Sequence, residues 1–354
     1  MSEKMRAIVV TGPDEYGVQL IDKPVPGPGE VLCRIRSVAI CGSDVGLFNG
    51  HYQKSGWPPK YPFVFGHEWS GEVVELGPGA ECFKVGDRVA GEGHCGCGLC
   101  ENCRKGQYTL CLNYGRLGHH HYGFNTYGAY AEYAVYREKS LTPMPEGISY
   151  DEATLCDTAG VALHGNNIVG VGSGDTVVVY GPGPVGNCAM QFAHIKGART
   201  IVVGFHDHER LETAKRCGAD VIMDSADCDA VAEVLRLTDG MGTTVAMDCA
   251  GSESAISSAC CSVRKGGRVA LIAMPCRHEM LLPVRDIVMN EIAVVGTRAN
   301  PNCSAEVMVQ IAFGRLNASA LLTHRFKLNQ FHEAMDTFIN KRDGALKVVI
   351  HPQE

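Results

Sequence analysis

The 354-residue sequence has no apolar run long enough to cross a bilayer. Its clearly apolar stretches are short, such as 176–180, whereas a span needs about 20 residues. The N-terminus, Met-Ser-Glu-Lys-Met-Arg, lacks the apolar core of a secretory signal, so the cytoplasm is the expected location. Long basic runs are missing too. With 32 Lys and Arg against 39 Asp and Glu, the net charge is −7, and nothing marks a general nucleic-acid binder or a membrane protein. Internal repeats and low-complexity tracts are absent, and the run His119-His120-His121 is the one compositional oddity. At 45% apolar and 20% charged residues, the composition excludes a disordered chain, a coiled coil or a collagen-like repeat. The length points to two domains, at roughly 150 residues each.

What the chain has in excess is cysteine. Seventeen is an odd number in a chain with no export signal, which argues for metal or redox chemistry over a disulfide framework. Cys97, Cys100, Cys103 and Cys111 are spaced C-x2-C-x2-C-x7-C. The short gaps let neighbouring thiolates converge on one ion, and the longer one brings in the fourth. Four sulfurs at about 2.3 Å satisfy a tetrahedral zinc and leave no open position, so such a site holds a loop and does no chemistry. Four unrelated thiols and an iron–sulfur cluster are the alternatives. Cys95 is surplus to the set and is expected as an unbound loop thiol.

The first 150 residues read as short strands (5–10, 31–38, 68–76 and 131–135) separated by Gly and Pro clusters such as Lys23-Pro24-Val25-Pro26-Gly27-Pro28-Gly29. That is the pattern of a barrel-like β unit. In 31–38 the alternation puts Val31, Cys33, Ile35 and Ser37 on one face. Near Ser149 the pattern changes. Strands at 176–180, 200–205, 221–224, 245–248 and 268–272 alternate with helices that include 185–196, 208–217 and 228–237, which predicts a parallel sheet with helices on both faces. Helices near 304–315 and 329–341 and a strand at 347–350 follow. The expected layout is therefore α/β with two domains: residues 1–155, completed by the tail 300–354, and a doubly wound domain at 156–299.

Within the second unit, Gly181-x-Gly183-x-x-Gly186 follows a strand and opens a helix. That context makes it a dinucleotide site. The glycines allow a tight turn, and Pro184 and Val185 begin a helix whose N-terminus meets the pyrophosphate. Two segments of the first unit carry further metal-ligand residues, Cys41-Gly42-Ser43-Asp44 and Gly66-His67-Glu68. Each alone is weak, since a lone Cys or His is more often an ordinary buried residue.

Taken in order with Val85-Gly86-Asp87-Arg88-Val89, Leu211-Glu212-Thr213-Ala214-Lys215 and Asp248-Cys249-Ala250-Gly251, these segments make the whole chain resemble the zinc-containing medium-chain alcohol dehydrogenase family. The nearest likeness is to its polyol (sorbitol), threonine and secondary-alcohol branch. The resemblance implies a GroES-like β domain joined to a Rossmann domain, with the active site in the cleft between them. It implies two zinc ions per chain, the second catalytic with Cys41 and His67 as ligands. It also points to Asp157, in Asp157-Thr158-Ala159-Gly160-Val161-Ala162-Leu163-His164, as the third ligand, where polyol enzymes usually have Glu. Cys156, one place earlier, is the competing residue. Glu68 is either a fourth ligand or a neighbour that tunes the metal.

With three protein ligands and an open position, such a zinc acts as a Lewis acid toward the substrate oxygen, and hydride passes to a nicotinamide. Ser43 matches the hydroxyl that starts the family's proton relay. The relay histidine of many relatives is replaced by Gly46, so the outer relay differs, through His51 or water. A plain turn serine is the simpler reading of Ser43.

The acid that usually holds the adenosine ribose is replaced by Phe205, with Asp207 two places late between His206 and His208. Asp207 favours NAD. A protonated His206 or His208 would tolerate NADP, and all three also fit an exposed loop. Arg210 is the helix residue normal for the branch. Lys347 matches a basic residue that meets the pyrophosphate in relatives, with a surface lysine as the alternative. Arg298, after the last strand, faces cofactor or substrate.

Segments 45–57 and 114–127 are the candidate substrate loops. The second is rich in Tyr, His and Asn, which suits a small polyhydroxylated secondary alcohol. Arg116 and the three histidines suit an anionic hydroxy compound instead, and the histidines equally fit an exposed loop. A non-catalytic nucleotide-binding or redox-sensing protein on the same scaffold is the alternative of another class, opposed by the retained Cys41, Ser43, His67 and Glu68. A zinc-free quinone-reductase-like enzyme is opposed by the same residues. The expected partners are a small alcohol or ketone and further copies of the chain, as a dimer or tetramer through the sheet edge near 291–296.

Overall fold

The structure is a computed structural model that describes residues 3–275 and 277–354. In chain order the first stretch contains β1 (Lys4–Gly12), β2 (Glu15–Asp22), β3 (Glu30–Ala39), α1 (Gly42–Phe48), β4 (Glu68–Leu76), β5 (Arg88–Gly91), β6 (His94–Cys95), α2 (Glu101–Arg104), β7 (His120–His121), β8 (Tyr133–Arg137), β9 (Leu141–Pro143), α3 (Tyr150–Ala153) and α4 (Leu155–Ile168). The second contains β10 (Thr176–Tyr180), α5 (Pro184–Ile195), β11 (Arg199–Gly204), α6 (His208–Arg216), β12 (Val221–Asp224), α7 (Ala230–Leu237), β13 (Thr243–Asp248), α8 (Glu253–Ser262), β14 (Val263–Leu271), α9 (Val284–Met289) and β15 (Ala293–Gly296). The tail adds α10 (Ser304–Ala312), β16 (Leu322–Lys327), α11 (Phe331–Ile339) and β17 (Lys347–His351).

Two compact units result. One comprises Met1–Asp157, Ser304–Phe313 and Leu322–Glu354; the other comprises Thr158–Cys303 and Gly314–Leu321. The boundary falls inside α4, just past Asp157, and the short stretch Gly314–Leu321 sides with the second unit.

The first unit is built on a seven-stranded sheet in the order β16-β17-β3-β4-β5-β9, with β8 also paired to β3. The predicted one-faced β3 is buried almost throughout. It is central in the sheet. β4 covers one edge, while β8 (opposite Glu30 to Arg34) and then β17 (opposite Val38 and Ala39) share the other. Val31, Leu32, Cys33, Ile35 and Val38 are all buried. The core continues through Phe48, Phe65, Trp69, Tyr130, Tyr136 and Phe331.

The second unit has a six-stranded parallel sheet in the order β12-β11-β10-β13-β14-β15. Strand order reverses between β10 and β13, and the Gly-rich turn after β10 lies at that switch point, where such sheets bind ligands. Its core is aliphatic: Val178, Ile201, Val203, Val234, Ala246 and Val269. Among the described residues, no helix is long and apolar enough to cross a membrane.

Candidate active site

Sequence places Cys41 at the end of β3 and makes it the N-cap of α1; Asp44, three residues on, returns its carboxylate to the Cys41 backbone N–H at 2.9 Å. His67 precedes β4 and follows Gly66, whose φ of +95° and 2.8 Å approach of an added Cβ to the Tyr130 nitrogen leave room only for glycine. These two chain turns bring the Cys41 sulfur, the His67 ring and the Glu68 carboxylate together, with ligand atoms all within 4.8 Å of one another. Asp157, in the first turn of α4, lies close by, outside the set of ligand atoms that fall within 4.8 Å of one another. A Cβ added at Gly93 would lie 3.8 Å from the Asp157 Oδ2, 3.8 Å from the His67 Cβ and 3.8 Å from the His121 Cδ2. Cys156 points away: it is buried and its thiol donates to the Ser304 carbonyl at 3.7 Å.

The electrostatics of this cluster call for a cation. Burial alone would push the His67 imidazole down. The negative Cys41 with its hydrogen bond, then Asp44 and Asp157, outweigh that and hold the ring up at about 10. The Asp157 carboxyl is pushed up to about 6, first by burial and then by Glu68, against the lowering pull of His67 and Lys347. A divalent ion would provide the charge these groups lack, and thiolate, imidazole and carboxylate are a zinc donor set. Ser43 fits the same picture: its hydroxyl oxygen is inaccessible and has no partner among the described residues.

Two side chains shape the cluster in ways the sequence did not reveal. Asp44 is buried, stands 3.7 Å from the His67 Nδ1, beyond hydrogen-bond distance, and accepts the Tyr130 hydroxyl at 2.6 Å, so it acts on the ring through its charge. Its only signal was its place three residues after Cys41. Lys347 corrects the surface-lysine alternative. It is 2% exposed at the start of β17, and its ammonium pairs with Glu68 and donates to the Ile40 carbonyl at 3.3 Å. Burial favours the neutral amine, but Glu68 and Cys41 keep its pKa above the ordinary lysine value.

The loop histidines correct a second expectation. Rather than lying in an exposed loop, His119 is 3% and His121 7% exposed. Arg116 is exposed. Gly46 has a physical account: a Cβ there would come within 2.3 Å of the Tyr52 ring, so Tyr52 fills the space a larger residue would take. His51 is exposed and its ring meets Tyr52 edge-on at 5.1 Å.

Cys97, Cys100, Cys103 and Cys111 form a second group with all sulfurs within 4.8 Å. The Cys97–Cys103 and Cys100–Cys111 separations are 3.9 Å, close to the roughly 3.8 Å between sulfurs bound 2.3 Å from a tetrahedral zinc. Backbone amides of Leu99, Cys100, Cys103 and Asn113 donate to these sulfurs at 3.4–3.5 Å. The Asn113 side chain adds a bond at 3.3 Å that, with two of those amides, draws the Cys97 thiol down to about 6. Cys95 stands outside the set, buried in β6, where burial pushes its thiol up to about 11.

In the second unit the three glycines have three different jobs. Gly181 has φ +102°, and a Cβ there would meet the Ala250 nitrogen at 2.9 Å. At Gly183 nothing lies within 4 Å, which leaves the approach to the α5 N-terminus open for a pyrophosphate. At Gly186 a Cβ would fall 1.8 Å from the Gly181 oxygen, so helix and strand pack as close as glycine allows. Pro184 and Val185 open α5 as its first residues.

Beside this turn is a cavity of about 410 Å³, lined by Gly181, Pro182, Phe205, Asp207, Ser225 and Asp229 among others. Asp207 occupies the N-cap position of α6 and faces Arg210 at 3.8 Å. His206 and His208 are exposed and do not line the cavity; neither does Arg298, exposed just beyond β15.

Comparison with known proteins agrees with both units. The alcohol dehydrogenase GroES-like domain matches residues 27–146, and the zinc-binding dehydrogenase domain matches 184–312. Sorbitol dehydrogenase of Bacillus subtilis (strain 168) is 34% identical over 99% of this chain and 98% of its own length. L-threonine 3-dehydrogenase of Pyrococcus horikoshii is also 34% identical, over 95% of this chain and 96% of its own. Among solved structures, an alcohol dehydrogenase from E. coli CFT073 complexed with NADH has a TM-score of 0.89 at 26% identity, covering 99% of this chain and 100% of that one. The chain therefore belongs to the zinc-binding medium-chain alcohol dehydrogenase family, in its polyol and threonine dehydrogenase branch.

Proposed function

We propose that this NAD(P)-dependent dehydrogenase oxidises a small polyhydroxylated secondary alcohol reversibly to a ketone, with NAD the preferred acceptor. The observation that carries the reading is the convergence of Cys41, His67 and Glu68, with Asp157 near by, beside a loop rich in hydrogen-bonding side chains. Cys41, His67 and Asp157 would hold a catalytic zinc, and Cys97, Cys100, Cys103 and Cys111 a structural one. When bound in the first site, zinc supplies Lewis acidity that favours loss of the alcohol proton. Ser43 takes that proton outward, Asp44 places a carboxylate 3.7 Å from the His67 ring, and Lys347 holds Glu68. The nicotinamide supplies the hydride acceptor, and Gly181, Gly183 and Gly186 seat its pyrophosphate.

The preference for NAD is supported by the cavity beside the Gly turn. Its described lining contains Asp207 and Asp229 and no Lys, Arg or His to meet a 2′-phosphate. Self-association is supported by β15, an edge strand of the parallel sheet, with exposed Leu281, Val284, Val288 and Met289 nearby. Sixteen free cysteines among the described residues suit a reducing compartment such as the cytoplasm.

NADH absorbance with a panel of polyols, simple alcohols and phosphorylated or carboxylated alcohols tests the substrate class. A polyol should exceed ethanol and butanol, because a site built on hydrogen bonds rejects analogues that leave its polar groups unpaired. Simple alcohols matching every polyol would refute the reading. Activity confined to anionic alcohols would replace it with the charged-substrate alternative. Asp157→Asn should lose zinc or most of kcat while Cys156→Ala keeps both; the reverse result would move the third ligand by one residue.

A further inference from the structure

Tyr130 stands where the two chain turns that carry Cys41 and His67 meet. It is fully buried, with its ring set edge-on against Phe331 at 4.8 Å and tilted to Phe48 at 6.1 Å. On one side it abuts the turn before His67. A Cβ added at Gly66 would fall 2.9 Å from both the Cγ and the Cδ2 of the Tyr130 ring, so the Gly66 backbone rests on that ring. Backbone bonds keep the two segments in register. The Phe65 carbonyl accepts the Tyr130 N–H at 3.0 Å, and the Gly66 carbonyl accepts the Ala129 N–H at 2.8 Å.

On the other side the Tyr130 hydroxyl reaches the turn that opens α1. It donates to the Asp44 Oδ2 at 2.6 Å. The Ala39 carbonyl, at the end of β3, lies 3.3 Å from the same hydroxyl, whose one proton goes to the closer and charged acceptor. Asp44 Oδ2 also accepts the Cys41 backbone N–H at 2.9 Å. Both donors therefore fall on one oxygen of the carboxylate. The other, Oδ1, is buried and has no hydrogen-bond partner among the described residues. It is the oxygen 3.7 Å from the His67 Nδ1, which is likewise buried without a hydrogen-bond partner. Two donors on Oδ2 fix the plane of the carboxylate, and with it the place of the oxygen that faces His67. One donor alone would leave the group free to turn about its Cβ–Cγ bond.

We propose that Tyr130 is a positioning residue of the candidate catalytic metal site. Its ring sets the turn that presents His67, and its hydroxyl orients the Asp44 charge beside that histidine, so both are arranged before a metal binds. This inference rests on the reading of Cys41, His67 and Asp157 as zinc ligands. Groups behind the ligands matter to affinity because a ligand already held in place does not have to be ordered when the metal arrives.

The test measures zinc affinity by chelator competition in wild type, Tyr130→Phe, Asp44→Asn and the double variant, with melting temperatures of the chelated proteins alongside. The zinc that Cys41→Ser loses identifies the catalytic site. Tyr130→Phe keeps the ring and removes only the hydroxyl. It should weaken that zinc on the order of tenfold, the low end for groups behind the ligands, and leave the four-cysteine zinc unchanged. Asp44→Asn should weaken the same zinc at least as much. Adding Tyr130→Phe to it should then change little, since the hydroxyl acts through the carboxylate. Tyr136→Phe, another fully buried tyrosine of this core whose ring packs on Trp69 at 4.5 Å, should leave both affinities at the wild-type value.

A purely structural role would lower the melting temperature of Tyr130→Phe without moving its zinc affinity, or would add its full effect to Asp44→Asn. Either result overturns the inference, while two zincs in wild type keep the metal reading. Wild-type protein that binds only the four-cysteine zinc overturns both.

Discussion

Replacing Lys347 by Met tests the electrostatic core of the active site. The Lys347 and Glu68 side chains are 2% and 1% exposed, so removing the ammonium leaves a carboxylate without its cation in a site that water does not reach. Breaking one side of a buried pair in this way costs about 3–5 kcal/mol, because the remaining charge keeps its desolvation penalty and loses its compensation. For a unit of this size that corresponds to a fall in melting temperature of about 6–20 °C. The double variant Lys347→Met/Glu68→Gln removes both charges and should recover most of the loss.

A bound zinc gives Glu68 a second positive neighbour, so the single variant should lose less stability in the zinc-loaded protein than after chelation. The assay is thermal or urea unfolding of the wild type and the two variants, each loaded and chelated. A Lys347→Met protein within about 1 kcal/mol of wild type in the chelated state would refute the reasoning, since that is the scale of an exposed pair. A double variant no better than the single would show that Lys347 stabilises through packing of its methylenes.

The cysteine lobe and the catalytic cluster should separate under mutation. Cys100→Ser should lose one zinc and lower the melting temperature, because metal-binding energy is folding energy in such a lobe, whereas Cys41→Ser should abolish activity with a smaller effect on unfolding; elemental analysis finding fewer than two zincs in active wild type would contradict this. Gly183→Ala should fold normally and weaken NADH binding, and Gly186→Ala should destabilise the second unit, because only the latter meets the Gly181 oxygen at 1.8 Å. NADH fluorescence titration and unfolding curves would give the opposite ranking if the turn were arranged differently.

At the C-terminus Asp151 accepts from His351 at 2.8 Å, Arg325 at 2.6 Å and Ser37 at 2.7 Å. These bonds, led by His351, lower the Asp151 carboxyl against its burial, and the Asp151 bond raises His351 above its ordinary 6.5. The histidine contribution is fully present below about pH 6.5 and is lost as pH rises through the raised value; the aspartate contribution is present above about pH 3.8 and is lost as pH falls through the lowered one. The melting-temperature difference between wild type and His351→Ala should therefore shrink on going from pH 6 to pH 9, and a difference that grows would reverse the assignment.

Local chemistry made much of this protein legible from sequence. The Gly181, Gly183 and Gly186 spacing is read in one turn of chain, and the C-x2-C-x2-C-x7-C set needs only a short loop to close on itself. The predicted parallel strands lie close to β10–β14, since a strand buried on both faces is marked by its own apolar run. Strand β2 and the strand β16 were missed because their exposed, mixed residues acquire order only from the partners they pair with. The central place of β3 was invisible for the same reason, its second edge being shared by β8 and β17, roughly 100 and 310 residues away along the chain.

The active site divides in the same way. Cys41, His67 and Glu68 could be named from sequence because each lies in a short recognisable segment. What the tertiary structure alone decided is how they are tuned. Glu68 meets Lys347 across 279 residues, His121 stacks on His94 across a ribbon, and Cys156 turns to Ser304 while the Asp157 carboxylate lies near Gly93. Residue type and spacing determine which groups are available to bind a metal. Their charge state and orientation depend on burial and on neighbours brought in by long-range strand pairing, which no local window of sequence contains.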